Sequence, residues 1–414
     1  MLQAPEWDNT VMRVMLLNQF FWPDTVATAH LLSDVAAGLA RENEVTVICG
    51  ESGEREKAKT LGFGPNVNVL RTKGFRFSHR SFARIASYSA YIAGTIWHGF
   101  RHSRAEIYMT LTTPPVLFVI GGALAFIRGG DHVIWEMDVY PDIACDIGYF
   151  KRGGFADRLA GAVLDFFRRR ASAIIVLGED MRDRLIARGI PADKIQIAEN
   201  WADGSEIQPE PFGAGPLVIE YAGNLGLAHE LETVTGVIER LRNHPDFCFT
   251  FVGGGPRRGE LEAKCKELGT QNVEFRPYCN RREIGGALAK CHLGLVTQLP
   301  QTVGSVVPSK IYSIMAAGRP ILYIGPKGST PAGHIRRYNC GWQIDPGDVG
   351  GLESLLTHLS NNRQVIAETG ARARNAFDED FDKSIGVERI LRVIEGLNHA
   401  AEMVPKLSPS AIGD

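Results

Sequence analysis

Residues 303–324, VGSVVPSKIYSIMAAGRPILYI, constrain the fold of this chain more than any other stretch. Pro308 fixes its own φ and biases Val307 towards extended geometry, so no helix should run through this point. Ser309 suits an N-cap, and residues 310–317 then read as helix. Gly318 supplies a C-cap, Pro320 blocks continuation, and ILYIG follows as a buried strand. The expected order is loop, helix, tight turn, parallel strand. At such a helix start, free backbone N–H groups, a hydroxyl and an ammonium converge, which suits a phosphate. On this stretch alone, an ordinary βαβ crossover reads the same way.

The same alternation runs along the chain. Residues 12–18 read as a strand, FFWPDTVATAH as a loop, HLLSDVAAGLAREN as an amphipathic helix and EVTVICG as the next strand, the opening of a Rossmann-like domain. The loop lacks GxGxxG and carries Pro23, Asp24, Thr25 and Ala27 instead, which argues against a nicotinamide or flavin dinucleotide. Residues 105–115 read as a strand ending at Thr112 and Thr113. Residues 132–148 read as another, with Glu136, Asp138, Tyr140 and Asp142 at its carboxyl end, where open α/β sheets bind ligands. Carboxylates there suit hydroxylated ligands or proton transfer; one or two of them, Asp142 first, read equally well as loop-ordering residues. Residues 204–216, rich in Pro and Gly, read as a linker, after which the alternation restarts. The expected class is α/β: one Rossmann-like domain over 1–204, a second over 205–374, and a helix at 375–400 that returns to the first.

With 414 residues, 44% hydrophobic and 22% charged, the composition is that of an ordinary globular protein of about two or three domains. A net charge of -2 leaves no nucleic-acid footprint on the whole molecule. Seven scattered cysteines without a CxxC pair argue for thiols in a reducing cytoplasm. Glu6 and Asp8 precede any apolar run, which argues against a signal peptide. PPVLFVIGGALAFI is too short to span a bilayer. Residues 71–104 carry Arg76, Arg80, Arg84, Arg101 and Arg104 around an aromatic middle and no acidic residue. With the basic, amphipathic 151–170, they suit an anionic membrane surface, or are core-facing helices with solvated basic faces.

Taken together, FFWPDTVATA, TLTTPP, WEMDVYPDIACDIG, ENWAD, EYAGNLGLAHELET, FVGGGPRRGELE and VVPSKIYSIMAAGRPIL resemble family 4 glycosyltransferases of the B-type fold, in the bacterial branch that builds capsule, O-antigen and exopolysaccharide. The likeness covers roughly residues 12–395. It implies two Rossmann-like domains facing across a cleft, a nucleotide-sugar donor on the second, a saccharide acceptor (lipid-linked in this branch) on the first, and transfer with retention and no obligatory metal or other cofactor. It also implies a cytoplasmic enzyme, peripheral on the inner face of the plasma membrane.

Carried over residue by residue, the resemblance assigns the donor diphosphate to Lys310 and Ser309. Gly223, Asn224 and Leu225 form the close-approach loop, with His229 as a further diphosphate donor. Gly253 and Gly254 turn beside the nucleotide, with Gly255 read as plain turn chemistry, and Arg276, Pro277 and Tyr278 meet the base. Glu136 and Asp138 fall to the acceptor's reacting hydroxyl, and Asp24, Thr25, Thr112 and Thr113 to the rest of the acceptor. There are departures. The family's two glutamates separated by seven residues are replaced by Ser305 and Ser313. Asn224 stands where Arg is common, His229 or Glu230 near the usual Lys, and Met137-Asp138 in place of His-Asp. Asp378-Glu379-Asp380, the one DxD-like string considered, reads as a solvated helix start. Two alternatives remain at this stage: a nucleotide-sugar 2-epimerase and a catalytically degenerate partner subunit.

Overall fold

The structure, a computed structural model, describes residues 11–52, 63–64, 66–72, 81–278 and 281–402, and only the backbone at 81–85, 281–284 and 398–402. Arg76 and Arg80 lie outside the described residues, as does the side chain of Arg84.

Short apolar runs become parallel strands because both of their faces are covered. The first sheet contains β1 (Arg13–Leu17), β2 (Glu44–Cys49), β3 (Val67–Arg71), β4 (Ile107–Leu111), β5 (Asp131–Trp135), β6 (Ala173–Val176) and β7 (Ile195–Ile197), in the order β3-β2-β1-β4-β5-β6-β7. A second contains β8 (Leu217–Ala222), β9 (Phe247–Val252), β10 (Val273–Arg276), β11 (Leu293–Thr297), β12 (Ile321–Ile324) and β13 (Gly341–Ile344), ordered β10-β9-β8-β11-β12-β13. Each sheet therefore reverses direction once, between β1 and β4 and between β8 and β11. Those reversal points are where doubly wound sheets open a crevice for ligands. The α/β class with two Rossmann-like sheets is as expected, and β5 ends at Trp135, earlier than the run 132–148 implied.

Contacts group the chain into two compact units, each described here by itself. One gathers the chain up to Trp135, Phe167–Ile175 and the residues from Val387; the other gathers Glu136–Phe166 and Val176–Gly386. In the first, Gly38 on the helix Ala27–Leu39 lies so close to the last helix that a Cβ would stand 2.7 Å from Val387 Cγ1. Gly121 and Gly122 likewise let the helix Leu117–Arg128 settle on Thr110, His132 and Phe167.

In the second unit, an ionic clamp fixes the segment after β5. The buried Asp142 carboxylate accepts from Arg188 at 2.7 Å, Arg184 at 3.0 Å and Arg152 at 3.1 Å. Arg188 also reaches Asp165 at 2.7 Å, and Arg184 donates to the carbonyls of Gln301, at 3.4 Å, and Val303. Burial by itself would raise the Asp142 carboxyl, yet Arg188, Arg184 and Arg152 together hold it below its ordinary value. A further link runs from Ser305 Oγ to Asp146, and Val139 N–H donates to Ser305 O at 2.8 Å. The segment that carries Glu136 and Asp138 is thus tied to the loop that leads into the helix Lys310–Ala316.

Two local expectations need correction. Ser309 adopts helical φ/ψ and its hydroxyl makes no capping bond, because the Pro308 turn already sets the helix entry. Asp378-Glu379-Asp380 closes the helix Arg363–Asp380 rather than opening one. Arg374 pairs with Asp378 at 2.9 Å, and Tyr338 donates to Asp380 at 2.5 Å, so partners from other turns of the fold fix this acidic end.

Truncating Asp142 leaves three guanidinium groups without their shared carboxylate. Asp142→Ala should therefore lower unfolding stability by about 3 kcal/mol in urea titrations, and Asp142→Asn by less. The clamp's contribution is present above the ordinary carboxylate range and is lost as pH falls through the depressed folded value, so wild type and Asp142→Ala should converge in acid.

Candidate active site

At the first reversal point, the loop after β1 is ordered by its own polar groups. Gln19 N–H donates to Thr113 O at 3.1 Å. Asp24 accepts from Ser52 Oγ at 2.7 Å and from Phe21 N–H at 3.4 Å, so one function of this carboxylate is to hold the loop. Thr112 is buried, Thr113 partly exposed and Thr25 exposed.

The second reversal point is denser. β8 ends at Ala222, and Gly223, Asn224 and Leu225 follow; Gly223 has φ +138°. β9 ends at Val252, and Gly253 has φ +120°. The two loops touch through backbone alone: a Cβ on Gly253 would stand 2.1 Å from Gly223 O. One on Gly255 would stand 2.4 Å from Leu225 O, so Gly255 is required by close approach as well as by its turn. Leu225 N–H donates to Gly254 O at 2.7 Å, while around Gly254 itself the space is open. Arg258 bonds the carbonyls of Gly253 and Arg276, the latter at 2.7 Å, and ties the end of β10 to this pair. There Arg276 is held by Glu274 at 2.6 Å, and Pro277 and Tyr278 are exposed.

Lys310 enters from the helix start. Its Nζ donates to Tyr221 Oη at 2.9 Å and lies 4.4 Å from the centre of that ring. A Cβ on Gly223 would stand 3.3 Å from Lys310 Cε, so this glycine keeps the way to the ammonium open. Burial pushes the ammonium down to about 7, because no carboxylate among the described residues pairs with it. His229 does not present its ring outward. Its Nε2 is 3.1 Å from Tyr221 Oη, and its Nδ1 is 3.0 Å from both the carbonyl and the hydroxyl of Thr297. Burial and then Lys310 push the imidazole down to about 3, so it is neutral at ordinary pH. Glu230 Oε1 accepts from Thr233 N–H at 2.9 Å at the start of the helix Glu232–Arg240.

The carboxylates belong to the same compact unit. Asp138 bridges Val306 in antiparallel fashion, four residues before Lys310. Burial and the charge of Glu136 raise the Asp138 carboxyl to about 6. Glu136 itself is buried. Ser305, in place of a family glutamate, bonds Asp146 at 2.5 Å and so helps to join the two loops.

The arrangement brings Lys310, Gly223, Asn224, Leu225, His229, Gly253 and Gly254 together, with Ser309 beside Lys310 in sequence. Such a site offers the Lys310 cation, the backbone N–H groups of Asn224 and Gly254 and a wall stripped of side chains, which suits a diphosphate. Among the described residues, no three His, Cys, Asp or Glu side chains gather as metal ligands. Sequence reading missed Tyr221, Thr297 and Arg258. Tyr221 carried a signal, since a tyrosine inside a buried strand needs a partner for its hydroxyl.

Residues 27–201 match the family described as Glycosyl transferase 4-like domain, and residues 204–376 match Glycosyl transferases group 1. The chain is 24% identical over 307 residues to the probable glycosyltransferase WbjE of Pseudomonas aeruginosa, covering 72% of this chain and 76% of that one. It is 26% identical over 220 residues to WcaI of Escherichia coli K12, a putative colanic acid biosynthesis glycosyl transferase, covering 49% of this chain and 54% of that one. In fold it is similar to Anabaena Alr3699/HepE, solved with UDP, at a TM-score of 0.70 and 16% identity, over 93% of this chain and all of that one. Two parallel sheets and these matches lead to one identification: the chain belongs to the family 4 glycosyltransferases of the B-type fold.

Proposed function

We propose that this glycosyltransferase moves a sugar from a nucleotide-sugar donor to a lipid-linked saccharide acceptor during assembly of a bacterial surface polysaccharide, with retention of configuration and no metal. The observation that carries the reading is the Lys310 ammonium, which has a single hydrogen-bond acceptor among the described residues and lies beside Gly223. The donor class is supported by HepE, which is solved with UDP-glucose, and the pathway class by the name of WcaI.

In this reading, the donor diphosphate takes the remaining N–H donors of Lys310, the Ser309 hydroxyl and the backbone N–H groups of Asn224 and Gly254, since those of Gly223, Leu225 and Gly253 already donate to the Val252, Gly254 and Arg276 carbonyls. The base lies on Arg276, Pro277 and Tyr278. Asp138, ionised, accepts the hydrogen bond of the acceptor hydroxyl, and the buried Glu136 keeps that carboxyl basic. The bond from the sugar's anomeric carbon to phosphate oxygen breaks, and the bond to the acceptor oxygen forms on the same face. The hydroxyl proton passes to the departing phosphate oxygen, and the nucleoside diphosphate leaves with its charge held by Lys310. A cation already in place does the work that a metal does elsewhere. Asp24, Thr25, Thr112 and Thr113, at the first reversal point, are assigned to the acceptor.

The membrane part of the proposal rests on a patch in the first compact unit. Trp97 and Phe100, on the helix Ser81–Arg101, and Phe126 and Ile127, on the helix Leu117–Arg128, are all exposed. Arg128 joins the two helices by donating to Phe100 O at 2.7 Å, Arg101 lies over Trp97 and Arg170 over Phe126. Aromatic and aliphatic side chains among arginines are the composition of an interfacial anchor. No helix among the described residues is long and apolar enough to cross a membrane.

Lys310→Ala should lower kcat/KM for donor about tenfold to more than a hundredfold, since a charge-assisted bond contributes roughly 1.5–3 kcal/mol. Lys310→Arg should recover part of the loss. The melting temperature of Lys310→Ala at pH 7 should hold or rise. The depressed Lys310 value means that burying its charge disfavours folding fully below about 7, and the penalty fades as pH rises towards the unfolded value. Near-normal kcat/KM in folded Lys310→Ala would overturn the phosphate role. The pH profile of kcat/KM should be a narrow bell, rising through about 6 as Asp138 ionises and falling above about 7 as Lys310 deprotonates. Asp138→Asn should abolish the acid limb, and Lys310→Arg should move the alkaline limb upward. Trp97→Ser with Phe126→Ser should weaken co-sedimentation with vesicles containing anionic lipid, and replacing Arg101 and Arg170 by Ser should weaken it most at low salt. Unchanged sedimentation of both variants would remove the membrane surface from the proposal.

A further inference from the structure

Lys310 has to hold its ammonium in a place where burial disfavours charge, and the protein supplies a fixed support for it. Tyr221 Oη has one proton and two lone-pair directions. It lies 2.7 Å from Asn224 O, which can only accept, so the proton goes there. Lys310 Nζ at 2.9 Å must then donate to the same oxygen, and His229 Nε2 at 3.1 Å takes the other lone pair by carrying the ring hydrogen. Nδ1 is thereby left as an acceptor, and the Thr297 hydroxyl at 3.0 Å supplies its proton. This tautomer satisfies the Tyr221 oxygen and both ring nitrogens, while the Thr297 carbonyl, also 3.0 Å from Nδ1, takes no hydrogen from the ring. Arg257, the other charged side chain at this histidine, bonds its carbonyl rather than its ring.

We propose that Tyr221 and His229 are positioning residues for the reaction: the relay Thr297–His229–Tyr221 fixes the Lys310 nitrogen against the end of β8 and turns its two remaining N–H donors towards the donor diphosphate. His229 is then no phosphate ligand itself. The inference rests on the phosphate role of Lys310, and the test separates the two.

Binding is measured by calorimetry at pH 6.5, first with UDP, GDP, ADP and dTDP to find the tightest nucleotide, then with that nucleotide on each variant. Lys310→Ala should weaken it by tenfold or more. Tyr221→Phe keeps the ring under the ammonium and removes only the hydroxyl; it should weaken binding about fivefold to tenfold. The double variant should bind no more weakly than Lys310→Ala alone, because Tyr221 acts through the ammonium. His229→Leu should resemble Tyr221→Phe, and His229→Gln, which can still donate to the phenol oxygen, should restore most of the loss. Melting curves accompany each variant; a merely structural role would lower stability without this pattern of non-additivity and rescue. Additive losses in the double variant, or full affinity in Tyr221→Phe, would overturn the positioning role while leaving Lys310 as the phosphate ligand. Full affinity in Lys310→Ala would overturn the phosphate reading itself.

Discussion

A lysine nitrogen set against a tyrosine ring and hydroxyl is the interaction on which this site depends. Charge in a poorly solvated place is unstable unless something negative or polar answers it. Here the protein answers with one phenol oxygen and one ring face, at 2.9 Å and 4.4 Å, and with no carboxylate among the described residues. Within the protein this ammonium is therefore under-compensated, which on the proposed reading suits it to a dianion. On the same reading, the wall without side chains at Gly223 and Gly253 would let an anion come close enough to supply what the protein withholds.

A second constraint links the two kinds of chemistry in the reaction. The loop entering the helix Lys310–Ala316 is bonded at Ser305 to the segment that carries Glu136 and Asp138, and Arg184 of the clamp bonds both Asp142 in that segment and Val303 O in the loop. Gln298 adds bonds to Thr302 O and Val306 O, and Tyr323 holds Gln298 at 2.7 Å. Ser305 is therefore structural: its hydroxyl bonds Asp146 and joins the two loops.

Much of this was legible in the chain itself. Apolar runs of strand length, separated by helical periodicity, identified the two sheets, because burial on both faces leaves little choice of residue. Lys310 stood out through Pro308 and Gly318, which fix the backbone on either side of it. What escaped was non-local. Tyr221 reads as one more apolar strand residue until Lys310, far along the chain, is brought to it. Gly255 reads as a turn until the backbone of Leu225 is found at 2.4 Å from its missing Cβ. Ser309 read as a cap by residue type, whereas its helical φ/ψ frees the hydroxyl. The DxD-like string was placed at the wrong end of its helix because no Gly or Pro punctuates the passage from Asp380 into the following helix Lys383–Glu402.

The membership of Glu136–Phe166 in the second compact unit bears on how such chains can recombine. The Pro- and Gly-rich stretch 204–216 looks like the natural seam at which to exchange halves between relatives with different donors and acceptors. A splice there would inherit Asp142, Asp146 and Arg184 from one parent and Val303 and Ser305 from the other. The second half would arrive without the partners that its own loop bonds. Exchange at the linker should succeed between parents that share this clamp; moving residues 136–203 with the second half would keep the clamp whole but divide the first sheet between parents at β6, so the linker is not a free boundary.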